Sequence, residues 1–157
     1  MNNNLKSGDL LYRSKGIIQH AGVYLGNGQV LHNSPQNNVE LISVDQYSEG
    51  KPVKVIRSHV DDHSLLTKRL ERILNNDHRY EVVGNNCEHI AYMLIQGRKY
   101  SPQLQATLIG AILGGVAGSY TKSGNWLLFL LGGGIAGCLL SNLSRPYSFT
   151  YRLEFTG

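Results

Sequence analysis

Near residue 103 the chain changes character, and that break limits what it can fold into. From Leu104 to Ser141 it reads LQATLIGAILGGVAGSYTKSGNWLLFLLGGGIAGCLLS, with Lys122 as the only charge. Two apolar stretches, Leu104 to Gly118 and Trp126 to Ser141, flank the polar SYTKSGN, so an apolar helical hairpin is expected. At about 1.5 Å per residue each arm reaches roughly 22 to 24 Å, short of a hydrocarbon layer of roughly 30 Å. A full crossing then needs extra residues or a thinned bilayer. Gly110, Gly114 and Gly118 recur every four residues, as do Gly133 and Gly137. Such stripes let two helix backbones approach closely. Arg98, Lys99 and Arg145 flank the block on both sides, so a hairpin gathers positive charge on one face, with Trp126 near an interface. The expectation is a membrane anchor with the rest of the chain facing the cytoplasm. The alternatives are a buried part of a soluble fold and a glycine-rich surface for homo-oligomerisation.

This gives three segments: residues 1–103 as a catalytic domain, 104–144 as the apolar hairpin, and 145–157 as a strand-like tail. In that tail Tyr147 to Phe155 alternates like a strand that either returns to the main sheet or stands as an edge. A length of 157 residues accommodates one domain of ordinary size plus an appendage. The net charge of +4 is spread over fifteen scattered Lys and Arg residues, so no nucleic-acid partner is expected. The opening MNNNLKSGDL lacks the charged-then-apolar order of a secretory leader, and only two cysteines occur. A reducing, cytosol-facing compartment without a disulfide is expected.

Up to residue 103 the pattern is mixed. Strands are expected near Asp9–Arg13, Ile17–Leu25, Gln29–Asn33, Val39–Ser43 and Val53–Ile56, followed by a helix from about Asp61 to Asn75. Tyr80 to Val83 reads as a short extended run. Asn85 or Asn86 then caps a helix running to about Gln96 and stopped by Gly97. The fold class is α+β, an antiparallel sheet with a cysteine-bearing helix packed on it.

Chemistry gathers at three positions. The asparagine cap puts Cys87 in the first turn of its helix, where free N–H groups and the helix dipole favour a thiolate. Cys138, inside GIAGCLL, reads as apolar helix filler. His20 and His32 close the two ends of HAGVYLGNGQVLH, and the register of that hairpin decides whether they meet. A two-residue turn at Asn27-Gly28 puts His32 opposite Val23, on the wrong face. A three-residue loop, Gly26 to Gly28, puts His32 opposite Gly22 and on the face of His20. The three-residue loop is expected, with Gly22 leaving space between the imidazoles. His20 then serves as general base and acid, His32 as its orienting group and Cys87 as nucleophile. Tyr24 reads as core packing and His89 as structural. HVDDH, residues 59–63, has ligand-like spacing at His59 and His63 but reads as a solvated helix cap. No metal or cofactor is expected.

At these residues the chain resembles the lecithin:retinol acyltransferase-like family, which includes phospholipase/acyltransferases. The matching text is GDLLYR, HAGVYLGNGQVLH and NNCEH followed by a helix and SPQ, over roughly residues 7 to 105. The resemblance implies a permuted papain-like fold in which His precedes Cys. It implies Cys87 as nucleophile through a thioester, His20 as base, His32 as the third polar residue, and an apolar C-terminal anchor. A lipid-directed thiol acyl hydrolase or transferase acting on phospholipid or another lipid ester is expected first. The second class is a cysteine peptidase or amidase, and the third a non-catalytic membrane or partner-binding module.

Overall fold

Side-chain alternation in the strands settles both faces of the sheet. In β1 (Leu10–Lys15), Leu10 and Tyr12 point to one face and Leu11 and Arg13 to the other, the pattern of a strand covered on both sides. The computed structural model describes residues 4–58, 60, 62–76, 78–121 and 124–152. After β1 come β2 (Ile18–Gly26), β3 (Gln29–Ser34), β4 (Asn38–Ser43), helix α1 (Val44–Ser48) and β5 (Val53–Ile56). Helices α2 (His63–Asn75), α3 (Cys87–Gln96), α4 (Pro102–Ser119) and α5 (Trp126–Leu143) follow, then β6 (Phe149–Tyr151). The six strands form one antiparallel sheet in the order β4-β3-β2-β1-β5-β6. The expected α+β class therefore holds. The tail strand both returns to the sheet and forms its edge, with Val55 opposite Phe149. Leu153 to Phe155, also expected to be strand, lie outside the described residues.

On one face of the sheet, Leu10, Tyr12, Ala21, Val23 and Leu31 meet Ile90, Ala91 and Leu94 of α3, with Leu66 and Ile73 of α2. The other face packs Leu11, Val30, Val53 and Val55 against Val44 and Tyr47 of α1. Helix α1 was not foreseen, because five residues are too few to show a helical period. A capping box starts it, with Ser43 accepting from the Gln46 N–H and Gln46 reaching back to the Ser43 N–H. The run Tyr80 to Val83 forms no strand; Glu81 bridges to Asn85, folding the segment onto itself just before α3.

The β2–β3 hairpin reaches the expected register by another route. Asn27 and Gly28 form a two-residue turn with φ of 50° and 73°, both left-handed as a type I′ turn requires. Gly26 accordingly pairs with Gln29. Between Gly26 and Tyr24 the register shifts by one, so Leu25 is the extra residue of a β-bulge and Tyr24 pairs with Val30. Gly22 then lies opposite His32. The bulge, not a longer loop, brings the two histidines to one face.

The chain divides into two compact units, residues 1–14, 20–100 and 146–157 in one and residues 15–19 and 101–145 in the other. In the second unit α4 and α5 touch along their glycines. A Cβ at Gly110 would collide with the Gly133 backbone and come within 3.1 Å of the Gly137 Cα, and one at Gly114 would collide with the Phe129 carbonyl. The outward faces leave Leu108, Ile112, Leu113, Leu128, Leu131 and Leu140 exposed. At 18 residues and mean hydropathy 1.7, α5 is long and apolar enough to cross a membrane, reaching about 27 Å at the usual helical rise. Cys138 is buried, with Sγ 3.6 Å from the Ile17 carbonyl oxygen.

Gly22 is a strict position. A Cβ there would stand 2.8 Å from Tyr47 Cε2 and 2.9 Å from Val30 Cγ1. Gly22→Ala should destabilise the sheet unit by about 1–3 kcal/mol through overpacking. Urea unfolding monitored by circular dichroism measures this, and a wild-type midpoint would disprove the packing account.

Candidate active site

The two imidazoles meet directly. His20 Nε2 and His32 Nδ1 are 2.9 Å apart, with ring centroids at 5.1 Å and planes nearly perpendicular at 85°. Both side chains are buried, at 7% exposure each. Beside them lies the ring of Tyr47, stacked on His20 at 5.6 Å and edge-on to His32 at 5.9 Å. The space left by Gly22 is therefore filled by an aromatic platform that touches both histidines. The Tyr47 hydroxyl is 2.7 Å from the His20 carbonyl oxygen and 3.0 Å from that of Leu11, so its proton is shared between two strands.

Cys87 occupies the first turn of α3 and is partly exposed. Cys87 packs against the cluster that holds Ala21, the residue next to His20, and the backbone N–H groups of Ala21 and Glu88 favour its thiolate. Burial first, and a thiolate at Cys87 second, raise the hydroxyls of Tyr47, the ring stacked on His20, and of Tyr80. The sulfur is thus held beside the segment that carries the imidazole pair. Burial nevertheless pushes the Cys87 thiol up, and these N–H donors only partly offset it. The thiolate expected from the helix start alone is not favoured here; burial outweighs the dipole.

The approach to Cys87 is built from asparagines. Asn33 on β3, fully buried, donates from Nδ2 to the Asn85 carbonyl at 2.7 Å. Asn85 Nδ2 donates to the Arg79 carbonyl at 2.6 Å, and Asn86 Nδ2 to the Val82 carbonyl at 2.9 Å. Asn86 is the N-cap of α3: its Oδ1 accepts from the His89 N–H at 3.0 Å, and its own N–H donates to His89 Nδ1 at 3.3 Å. His89 is thereby the return half of a capping box, which accounts for it structurally. Tyr24 accepts from the Gly28 N–H at 3.1 Å, bracing the turn.

Two residues near the pair were missed from sequence. Glu40 lies cross-strand from His32, with Oε1 3.2 Å from His32 Nε2. It is the only acid in VELIS, and counting back from a tight β3–β4 loop would have placed it there. Tyr47 had only the Ser43–Gln46 capping spacing to announce its helix. Among the described residues no group of three or more His, Cys, Asp or Glu is placed to hold a metal. His59 and Asp61 of HVDDH lie outside the described residues, and Asp62 caps α2 by accepting from the Ser64 and Leu65 N–H groups.

An antiparallel sheet presenting paired imidazoles, followed later in the chain by a cysteine at the start of a packed helix, defines an α+β protein with a candidate cysteine–histidine site. Residues 1–58 match the family model described as the NlpC/P60 family. The chain is similar to human phospholipase A and acyltransferase 3, 25% identical over 134 residues, spanning 71% of this chain and 83% of that protein. It is also similar to human phospholipase A and acyltransferase 2, 26% identical over 134 residues, spanning 68% and 82%. These matches agree with the resemblance to the lecithin:retinol acyltransferase-like family, and the relatives carry the names of enzymes.

The cap makes the Cys87 loop sensitive to acid. Burial first and Lys99 second lower the His89 value below its usual 6.5. A base depressed in the fold contributes stability that is complete above its unfolded value and lost as pH falls from there through the folded value. His32 is lowered too, by burial first, and adds in the same sense. The urea midpoint should therefore fall between about pH 7.5 and about pH 5.5, and His89→Gln, which keeps an acceptor, should reduce that fall. Asn86→Ala should cost about 1 kcal/mol at neutral pH.

Proposed function

We propose that this protein is a membrane-associated thiol acyl hydrolase or acyltransferase that cleaves lipid esters through a Cys87 thioester. The observation that carries the reading is the 2.9 Å imidazole pair on a sheet against which a partly exposed cysteine packs beside Ala21, the residue next to His20. The relatives' names, phospholipase A and acyltransferase, support the lipid ester as substrate class. In this reading residues 1–103 form the catalytic domain, 104–144 the membrane anchor and 145–157 a strand-like tail. The catalytic domain faces the cytoplasm, as Arg98, Lys99 and Arg145 beside the apolar block favour.

His20 takes the thiol proton as Cys87 attacks the ester carbonyl carbon. Because burial disfavours a resting thiolate, proton transfer accompanies attack rather than preceding it. The oxyanion is met by backbone N–H groups at the start of α3. Collapse expels the lysolipid alkoxide, which recovers the proton from His20 and leaves the acyl group on sulfur. Water, or an amine or hydroxyl acceptor, then gives up a proton to His20 and attacks the thioester, releasing the thiol.

The test is incubation of the purified full chain and of Cys87→Ala with phospholipid vesicles. Free fatty acid, lysolipid and an acyl mass on Cys87 are expected from the wild-type chain, and none of them from the variant. His20→Ala should lower turnover by about 10²-fold or more. Cleavage of peptides with no action on vesicles would transfer the protein to the cysteine peptidases. Absence of Cys87-dependent chemistry on both would leave a binding module.

A further inference from the structure

Proton counting around His32 leads past the three residues of the proposed site. His32 has two ring nitrogens and both are engaged, Nδ1 by His20 Nε2 at 2.9 Å and Nε2 by Glu40 Oε1 at 3.2 Å. The Glu40 contact lies off the axis of a linear hydrogen bond, so its pull on a proton at Nε2 is the electrostatic one of a nearby carboxylate. Glu40 is itself held: Asn37 Nδ2 reaches both of its oxygens, at 2.9 and 3.1 Å. The β3–β4 register adds a backbone constraint, with Ser34 opposite Asn38 and His32 opposite Glu40.

A neutral imidazole carries one proton, and a carboxylate only accepts. Glu40 therefore draws the His32 proton to Nε2, which leaves His32 Nδ1 as an acceptor. His20 must then donate from Nε2 across the 2.9 Å contact, so the His20 lone pair is left at Nδ1. We propose that Glu40 is a positioning residue that fixes the tautomers of His32 and His20, making His20 Nδ1 the atom that receives the Cys87 proton. The inference rests on the reading of Cys87, His20 and His32 as an acyl-transfer site.

The step balances without a further reactant. The Sγ–H bond breaks and an Nδ1–H bond forms on His20, while the electron pair stays on sulfur for attack. The positive charge on His20 is then met through His32 by the Glu40 carboxylate, and the proton returns to the leaving alkoxide. Other charged and titratable groups face His32 as well. Arg13 on β1 opposes its protonation and Glu49 after α1 favours it, but those two are joined at 2.5 Å, and Tyr47 offers only a ring edge. Among the described residues Glu40 is the carboxylate in contact with the ring.

Nitrogen-15 NMR of the histidine rings tests the assignment directly, since the two neutral tautomers give different shift patterns. Wild-type protein near neutral pH should show both His20 and His32 protonated at Nε2. Glu40→Leu should shift His32 toward the Nδ1–H form, and Glu40→Gln, which keeps an acceptor oxygen, should restore the wild-type pattern. Glu40→Ala is measured beside Glu40→Leu so that a packing failure of one variant does not decide the result. With vesicle substrate, kcat should drop at least about tenfold in Glu40→Leu with KM unchanged, and recover in Glu40→Gln. Wild-type tautomers in both Glu40→Leu and Glu40→Ala would overturn the proposal, as would a Glu40→Gln variant as impaired as Glu40→Leu. If Cys87→Ala and His20→Ala retained full activity, the catalytic reading would fail, while the ring spectra would still judge Glu40.

Discussion

The register of the β2–β3 hairpin is the constraint on which the site depends. Strand side chains alternate, so moving β3 by one residue would turn His32 away from His20 and exchange Val30 for Leu31 between the two cores. A type I′ turn at Asn27-Gly28 by itself gives that wrong register. The extra residue Leu25 corrects it, and the correction is enforced by burial on both faces: Val23 and Leu31 belong to the core with α3, Val30 to the core with α1. The bulge therefore ties the imidazole contact to the hydrophobic packing of the whole sheet. Tyr47 locks the arrangement from the α1 side, because its ring fills the place that any side chain at position 22 would need.

Two opposing effects act on Cys87. The helix start, the Ala21 N–H and its own backbone favour a thiolate, while burial disfavours it and prevails. A cysteine so placed stays a thiol until a base accepts its proton. The cap around it is kept by neutral groups, with Asn33, Asn85 and Asn86 all giving amide protons to backbone carbonyls. Neutral amides fix a loop without adding a charge that would bias the thiol, and the capping-box partner His89 is itself lowered toward its neutral form.

How much could be read from sequence followed from how local each signal was. The five early strands lay within a residue or two of their expected limits, since each was an alternating run bounded by turn residues. The Asn86 cap and the Gly97 stop of α3 were legible for the same reason: Gly97 takes the left-handed φ of 73° that a helix end favours. The shared face of His20 and His32 was legible, but its cause was not, because a bulge at Leu25 leaves no mark that distinguishes it from a longer loop. Tyr47 and Glu40 escaped because their roles depend on pairings across the sheet. The rise of the Cys87 value escaped because helix position can be read locally, whereas burial is a property of everything packed around the sulfur.

The apolar unit uses its glycines on one side and its large residues on the other, and these are separate physical statements. Where Gly110, Gly114, Gly133 and Gly137 face one another, the α4 and α5 backbones are in contact, an arrangement that pairs helices without needing large apolar side chains between them. The leucines and isoleucines that would fill a water-soluble helical core instead point outward, including Ile112 and Leu113 at 64% exposure and Leu128 at 66%. In water such a surface is costly, at roughly 25 cal/mol for each Å² of apolar area. In a hydrocarbon medium the same surface is neutral and the glycine contact becomes the main source of cohesion. The division of small residues inward and large residues outward is thus the one expected of helices whose solvent is lipid. The proposed membrane anchor rests on this division together with the length and hydropathy of α5.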